Sequence, residues 1–176
     1  MKNTDTADIE TRGFCHYKAT NGIKRHLCVD VLGTPFFVSC TPADVSDDEG
    51  FVQLVKGNLS FFAALPVCEK PTLTILCDSG YNKASIEKKL VVICPDILSK
   101  VRIEIATKMS PTEKQAEKQE KGVSGFVVVA KRWIVERSNA WREKCRLLGK
   151  NCECKLATSV VQIKLCFIRL LVRRRY

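Results

Sequence analysis

The sequence predicts a mixed α+β (α/β) fold, in which strands and helices intermix along a single chain. Three observations predict it: a β-rich segment with hairpin turn chemistry comes first, short apolar runs typical of strands follow, and segments with the three- and four-residue spacing of amphipathic helices end the chain. Apolar residues make up 45% of the 176 residues and charged residues 27%, which is the composition of a folded protein. A chain of this length can bury roughly 70% of its unfolded surface, so we expect one domain over residues 1–176.

A hairpin is predicted near the amino end. Residues 23–30, IKRHLCVD, are β-rich and partly alternating, residues 31–35, VLGTP, carry the Gly and Pro of a turn, and residues 36–41, FFVSCT, supply a returning strand. A helix is predicted next, because Ser46 is a suitable N-cap and Glu49 lies three residues later. Its apolar side comprises Phe51, Val52, Leu54 and Val55.

The middle of the chain alternates between strands and a helix. Residues 72–77, TLTILC, predict a buried strand, and residues 83–92, KASIEKKLVV, predict a short helix with its lysines toward solvent. Residues 101–107, VRIEIAT, alternate with period two, which predicts a half-exposed strand. Residues 125–130, GFVVVA, predict a further strand or extended segment.

Two segments lack such patterns. Residues 1–12 are polar and predict an extended or disordered segment. Residues 108–122, KMSPTEKQAEKQEKG, are charged and nearly devoid of apolar side chains, which favours a solvated charged loop or a frayed helix.

Helical spacing returns in the last third of the chain. Residues 131–151, KRWIVERSNAWREKCRLLGKN, show it, and so does the closing run at 159–172, SVVQIKLCFIRLLV. Lys164 and Arg169 interrupt that run, which also falls short of the ~20 residues of a membrane span, so no membrane contact is expected. We predict a helix whose core-facing stripe contains Ile163, Phe167, Leu170 and Leu171.

Charge and cysteine content limit the partners and the compartment. The net charge of +10 and the pI near 9.2 make polyanions natural partners, although a solvated basic surface would have the same composition. Most of the ten cysteines lie within apolar runs and are predicted to be small buried hydrophobes. Cys152 and Cys154 have no second pair or His at ligand spacing, which predicts a surface pair and not a zinc site. The charged segment MKNTDTADIETR lacks the apolar core of a signal peptide, which predicts a reducing cytoplasm.

Two acidic residues occupy positions where a carboxylate is unexpected. Asp78 ends the apolar run TLTILC, and Glu136 follows Ile134 and Val135 in a segment with helical spacing. Ligands of mixed α/β sheets collect beyond the carboxyl ends of strands, so Asp78 is placed as a site residue would be. Carboxylates from a strand end and a helix are enough to hold Mg²⁺, and two such ions about 4 Å apart support phosphodiester cleavage.

A structural interpretation of both acids stays open on spacing alone. Asp-Ser-Gly at residues 78–80 is a common turn sequence. Glu136 could instead pair with a basic neighbour, namely Lys131, Arg132 or Arg137. No local rule states that the two acids meet.

Four blocks of the chain resemble a known family. They are RGFCHYKATNGIKRHLCVDVLGTPFFVSCTPADVSDDEG at 12–50, ILCDSGY at 75–81, KRWIVERSNAW at 131–141 and ATSVVQIKLCFIRLLVRR at 157–174. In order and spacing these blocks are similar to the catalytic half of DDE transposases of the insertion-sequence 4/5 group. The resemblance covers nearly the whole chain.

The resemblance implies a ribonuclease-H-like sheet with flanking helices and cut-and-paste strand transfer of DNA, with Mg²⁺ or Mn²⁺ as the cofactor. It makes Asp78 the second catalytic Asp and Glu136 the catalytic Glu, and both of them metal ligands. Arg132 matches the Arg of the family's Tyr/Arg/Glu/Lys signature. DNA binding would involve Arg132 and three basic neighbours, Lys131, Arg137 and Lys144. The partners would be transposon ends and target DNA, at the nucleoid of a bacterial cytoplasm.

The first catalytic Asp of the family has no counterpart in the matching blocks. The family carries it on the first strand, in a segment resembling Asp-Ser-x-Ser-Val-Lys, which the resemblance places just before Met1. Asp5 and Asp8 belong to no strand pattern, and Asp30 is read as the end of a hairpin strand. The resemblance therefore predicts a truncated copy without the first strand, inactive alone, with a complementing N-terminal fragment or a second copy of the chain as a possible partner.

Two alternatives stay open. The chain could be a non-catalytic DNA-binding remnant that occupies transposon ends, in which case binding would depend steeply on salt and not on metal. It could also be a related nuclease of the same fold, which only the family resemblance separates from a transposase.

Overall fold

Alternating β-rich and amphipathic segments fold into five strands and six α-helices over the residues that the computed structural model describes, which are residue 2 and residues 12–68, 71–106 and 132–175. The predicted mixed α+β content is thus confirmed. The strands are β1 (Gly13–Cys15), β2 (Thr20–Val29), β3 (Pro35–Pro42), β4 (Leu73–Cys77) and β5 (Val101–Ile105). The helices are α1 (Asp47–Lys56), α2 (Leu59–Ala64), α3 (Lys83–Ile93), α4 (Ile97–Lys100), α5 (Arg132–Glu143) and α6 (Leu156–Arg175), with 3₁₀ turns at His16–Lys18 and Arg146–Leu148.

The chain divides into two compact units. The first contains Met1–Ala64 and Ile134–Tyr176, and the second contains Leu65–Trp133. Of the predicted segments without regular structure, residues 108–122 and most of residues 1–12 lie outside the described residues, as does the predicted strand at 125–130. The ribonuclease-H-like arrangement and the single domain over residues 1–176 stay predictions.

The first unit contains the predicted hairpin. Strands β2 and β3 pair antiparallel from Ile23 opposite Pro42 to Val29 opposite Pro35, with an irregularity after Cys28, and β1 pairs antiparallel with the other edge of β2. Asp30 shapes the connecting turn, since its Oδ1 accepts hydrogen bonds from the backbone N–H groups of Leu32 at 2.9 Å and Thr34 at 2.7 Å.

Helix α1 begins where the sequence predicts. The Ser46 hydroxyl accepts a hydrogen bond from the Glu49 N–H at 3.2 Å, which satisfies one of the unpaired donors at the start of the helix. The predicted apolar side is buried, comprising Phe51, Val52, Leu54 and Val55. Gly50 lies against the His26 ring, where a Cβ would collide with it. This close approach lets α1 pack against the sheet.

Aromatic rings join α2 to the start of β3. Phe36 and Phe37 pack against Phe61 and Phe62, with neighbouring ring centroids 4.9 to 5.5 Å apart. Phe62 is buried, whereas Phe36 stays exposed. Such tilted and edge-to-face pairs stabilise by about 1 kcal/mol each beyond the area that they bury.

Helix α6 covers the hydrophobic core of the first unit. Ile163, Cys166 and Phe167 are buried together with three residues from other elements, Ile23, Cys40 and Leu148. Leu170 is partly buried against this cluster. The prediction that Leu171 faces the core is wrong, since its side chain is 38% exposed. At about 100° of rotation per residue, Leu171 lies about 80° around the helix axis from Ile163, which brings it to the edge of the buried face.

The second unit is built on a parallel strand pair. Strands β4 and β5 pair from Leu73 opposite Val101 to Cys77 opposite Ile105, and α3 and α4 form the crossover that parallel strands require. Side chains of α3, α4 and β5 are buried, namely Ile86, Leu90, Ile97, Val101 and Ile103.

The structure corrects the prediction that TLTILC is a buried strand. Thr74 and Leu76 are exposed, and only Cys77 of β4 is buried. Successive side chains of a strand point to opposite faces, so Thr74 and Leu76 share a face that the described residues leave open. The predicted half exposure of β5 is confirmed, because Val101 and Ile103 are buried and Arg102 between them is exposed.

The structure also corrects the prediction that most cysteines are buried. Three are buried, Cys40, Cys77 and Cys166, while four are intermediate and three are exposed. The exposed ones include Cys152 and Cys154, which confirms the predicted surface position of that pair. Of the helices in the described ranges, none has the length and apolarity needed to span a membrane.

Candidate functional site

Asp78 lies at the carboxyl end of a parallel strand, as predicted. It follows Cys77, the last residue of β4, and its side chain is exposed. One carboxylate oxygen accepts a hydrogen bond from the Ser79 N–H at 2.8 Å, and the Asp78 carbonyl accepts one from the Tyr81 N–H at 3.1 Å. The residue therefore belongs to a turn and at the same time presents a carboxylate to solvent. A structural role in the turn and a role as a site carboxylate are thus compatible for Asp78.

The turn after Asp78 leads directly into a helix. Asn82 caps α3, because its side-chain oxygen accepts a hydrogen bond from the Ser85 N–H at 3.2 Å. Two ordered elements, β4 and α3, thus bound the short segment that carries Asp78. Side chains at such strand ends are held more precisely than those in long loops.

Glu136 lies in the first half of α5, and its side chain is exposed. Asp78 and Glu136 belong to different compact units, and a shared site for the two carboxylates stays a prediction.

Helix α5 is fixed to the β2–β3 turn by contacts that the sequence did not predict. Ser138 is fully buried, and its hydroxyl donates to the Gly33 carbonyl at 2.7 Å, with the Ile134 carbonyl 3.1 Å away. The neighbouring Arg137 donates from Nη2 to the Leu32 carbonyl at 2.6 Å. These bonds set the rotation of α5 about its axis and therefore the direction in which Glu136 projects.

Gly33 is the matching feature on the hairpin side. Its φ of +77° favours glycine, and a Cβ at this position would lie 2.8 Å from the Ser138 hydroxyl. The Gly in VLGTP and the Ser inside a helical segment were visible in the sequence, but no local pattern relates positions 105 residues apart.

The predicted DNA-binding residues differ in their surroundings. The Arg137 guanidinium lies over the Trp141 ring, 4.9 Å from its centroid, and contacts the hairpin turn. Lys144 is exposed directly after the end of α5. The Arg132 backbone begins α5, whereas Lys131 lies outside the described residues.

Two half-buried arginines, Arg25 and Arg142, add positive charge to the first unit. Arg25 donates from Nη1 to the Leu148 carbonyl at 2.9 Å, and its pKa is lowered to about 10, chiefly by burial and further by the nearby Arg142. Burial also lowers the pKa of Arg142. At about 10 the Arg25 group keeps its charge at neutral pH. Burial raises the pKa of the neighbouring Cys40 thiol to about 11, so that this thiol stays neutral.

The carboxylate oxygens of Asp78 and Glu136 are of the type that binds a hard divalent cation, although the two acids alone do not form a complete ligand set. Carboxylates are the protein ligands that Mg²⁺ prefers, and it usually takes one or two of them together with water and phosphate oxygens. Asp78 and Glu136 are exposed carboxylates of this type. Within the described ranges there is no group of three or more His, Cys, Asp or Glu side chains that could hold a metal ion.

Comparison with known proteins identifies the class. A family model described as the transposase DDE domain matches residues 3–171. Because this range is nearly the whole chain, the chain belongs to the transposase DDE domain family. Neither the curated proteins nor the solved structures include a significant match. Membership makes DNA the substrate class and indicates a divalent metal ion as the cofactor.

Proposed function

We propose that this transposase belongs to the insertion-sequence 4/5 group and uses Asp78 and Glu136 as carboxylate ligands of Mg²⁺ or Mn²⁺ in DNA cleavage and strand transfer. The observation that carries the proposal is the exposed Asp78 carboxylate directly after the parallel strand β4, in a chain of the transposase DDE family. The exposed Glu136 on α5 supports it as the second ligand. The four matching blocks support the group and the ribonuclease-H-like sheet.

The residues around the two carboxylates would position them. The Ser79 N–H holds one oxygen of Asp78, and the Ser138 hydroxyl fixes the helix that carries Glu136. A bound divalent ion would activate the attacking oxygen and stabilise the leaving oxygen of the phosphodiester. Four positive side chains would hold the DNA phosphates, namely Lys131, Arg132, Arg137 and Lys144.

A second candidate function is DNA binding without cleavage, and the surroundings of Asp30 favour it. The family uses three carboxylates, and Asp30 directly follows β2 of the hairpin. Its carboxylate accepts two backbone hydrogen bonds from the turn, which gives it a structural role. A copy that provides only Asp78 and Glu136 would occupy transposon ends at the nucleoid and would need a complementing fragment or a second copy for chemistry.

Iron-directed cleavage of the polypeptide tests the shared metal site independently of DNA chemistry. Fe²⁺ substituted for Mg²⁺ generates hydroxyl radicals from peroxide and ascorbate, and these cut the backbone next to the ion. We expect cuts near both position 78 and position 136, suppressed by excess Mg²⁺ or Mn²⁺. Asp78→Asn should remove both cuts together, because one ion would be bound by both carboxylates.

Matched carboxylates serve as controls for this experiment. Asp96→Asn changes an exposed acid of the second unit, and Glu143→Gln changes one at the end of α5; both variants should retain the two cuts. Cuts at only one of the two positions, or cuts that Mg²⁺ does not suppress, would refute the shared site.

A plasmid assay tests whether the chain cleaves DNA without a partner. We expect the purified chain to bind DNA and to leave supercoiled plasmid intact with Mg²⁺ or Mn²⁺. Metal-dependent nicking that Asp78→Asn abolishes would show instead that this chain is active alone.

A further inference from the structure

Helix α6 has a second apolar face, opposite the core. Val161, Leu165, Ile168 and Val172 form this outer stripe, and their side chains are 51%, 55%, 55% and 55% exposed. With about 100° of rotation per residue, the four positions fall within about 60° of one another. The buried residues Ile163, Cys166 and Phe167 occupy the other side of the helix.

The spacing of the outer stripe is that of a helix-pairing seam. Steps of four, three and four residues separate its members, which are the a and d positions of a heptad repeat. β-Branched residues and leucine at such positions insert between the side chains of a facing helix. A contiguous apolar row that stays exposed next to charged residues marks an interaction site.

The charges beside the outer stripe identify the kind of partner. Lys164 and Arg169 are exposed on its two sides, and Arg173 is exposed near its end. The sequence of α6, LATSVVQIKLCFIRLLVRRR, contains no acidic residue. In paired helices the residues beside the seam form salt bridges across the interface, and only acidic residues can do so here.

We infer that the outer stripe of α6 binds an amphipathic helix whose apolar seam is flanked by Asp or Glu. This inference does not rest on the proposed catalytic function. A second copy of α6 would place Lys164 and Arg169 opposite further basic side chains, and like charges facing each other across an interface are unfavourable.

Peptide binding to the full chain tests the inference. The probe is a fluorescein-labelled three-heptad peptide with leucine at a and d and glutamate beside the seam, followed by fluorescence anisotropy. We expect it to bind at least about tenfold more tightly than a peptide with lysine in place of glutamate. A scrambled peptide of the same composition controls for general attraction to a chain of charge +10, and should also bind at least about tenfold more weakly.

Substitutions locate the binding surface. The double variant Leu165→Gln, Ile168→Gln should bind the glutamate peptide at least about tenfold more weakly than wild type. Val92→Gln, at an 83% exposed valine of α3, should bind it as wild type does. The double variant Lys164→Glu, Arg169→Glu should bind the lysine peptide more tightly than the glutamate peptide, which reverses the preference of the wild type. A gain of binding of this kind cannot result from misfolding.

Three outcomes would overturn the inference. The glutamate peptide could bind no better than the scrambled one. Wild-type chain could dimerise in sedimentation equilibrium through Leu165 and Ile168, which would make a second copy the occupant. Vesicles of phosphatidylglycerol could bind through the outer stripe while the peptide does not, which would make it a lipid-binding surface.

Discussion

At the scale of single residues, His26 shows how burial changes a titration. Its ring is 6% exposed, contacts Gly50 of α1 and shares a hydrogen bond of 2.9 Å between Nε2 and the Thr41 hydroxyl. The pKa of His26 is lowered from its ordinary value of 6.5, chiefly by burial; Asp47 opposes this lowering, and Lys24 adds to it with the smallest effect of the three. The folded state therefore favours the neutral ring.

The stability of the chain should fall on mild acidification. Below pH 6.5 the unfolded state takes up a proton at His26 that the folded state binds only at lower pH, so the stabilisation is present above 6.5 and is lost as the pH falls toward the folded pKa. Urea unfolding between about pH 5 and 7.5 measures this, above the range in which most carboxylates titrate. We expect the free energy of unfolding to rise with pH across this window.

The second histidine provides the control. His16 is exposed, so His16→Gln should retain the pH dependence, whereas His26→Gln should flatten it. A wild-type free energy of unfolding that is constant across the window would contradict the prediction.

At the scale of elements, the junction between α5 and the β2–β3 turn is the contact that matters most for the candidate site. Local patterns predicted the hairpin and the cap of α1 correctly, because turn residues and capping side chains act on their immediate neighbours. They did not predict that Ser138 would bond to Gly33. Which turn of α5 faces the hairpin depends on packing across the unit.

Ser138→Ala should destabilise the first unit by about 1 to 3 kcal/mol, since it leaves the buried Gly33 carbonyl without its 2.7 Å hydrogen bond. Urea unfolding followed by circular dichroism measures the loss. Ser99→Ala is the matched control, because the Ser99 hydroxyl donates to the Asp96 carbonyl at the same 2.7 Å but at an exposed site. We expect that change to cost about 0.5 kcal/mol or less. Equal losses in the two variants would show that burial of Ser138 is unimportant.

At the scale of the whole molecule, charge governs the interaction with DNA. The chain carries a net charge of +10, and membership of the transposase DDE family makes DNA its substrate class. Binding to DNA releases counterions, so the affinity falls as salt rises. The slope of log K against log[salt] is proportional to the number of phosphate contacts that the protein makes.

Lys144→Gln should reduce the slope of log K against log[salt] by about one unit, because an exposed lysine beside α5 would lose one phosphate contact. Fluorescence anisotropy with a labelled duplex over a range of NaCl concentrations measures the slope. Lys56→Gln, at an exposed lysine that ends α1, should leave it unchanged. The same slope for wild type and Lys144→Gln would remove Lys144 from the DNA interface.

The sequence alone determined the family, the β2–β3 hairpin, and the helices and strands with clear local patterns, whereas β1, α2 and α4 were not predicted from it. The capping pair at Ser46 and Glu49, the turn at VLGTP, the period-two pattern of β5 and the four matching blocks are local or linear features, which the chain carries whether or not it is folded. Tertiary structure decided the exceptions to the predicted burial and the contacts between distant elements. Leu171 is 38% exposed, β4 exposes Thr74 and Leu76, and Ser138 bonds to Gly33. Burial depends on which distant surfaces pack together, and hydrophobicity by itself does not specify the surface against which a side chain will lie.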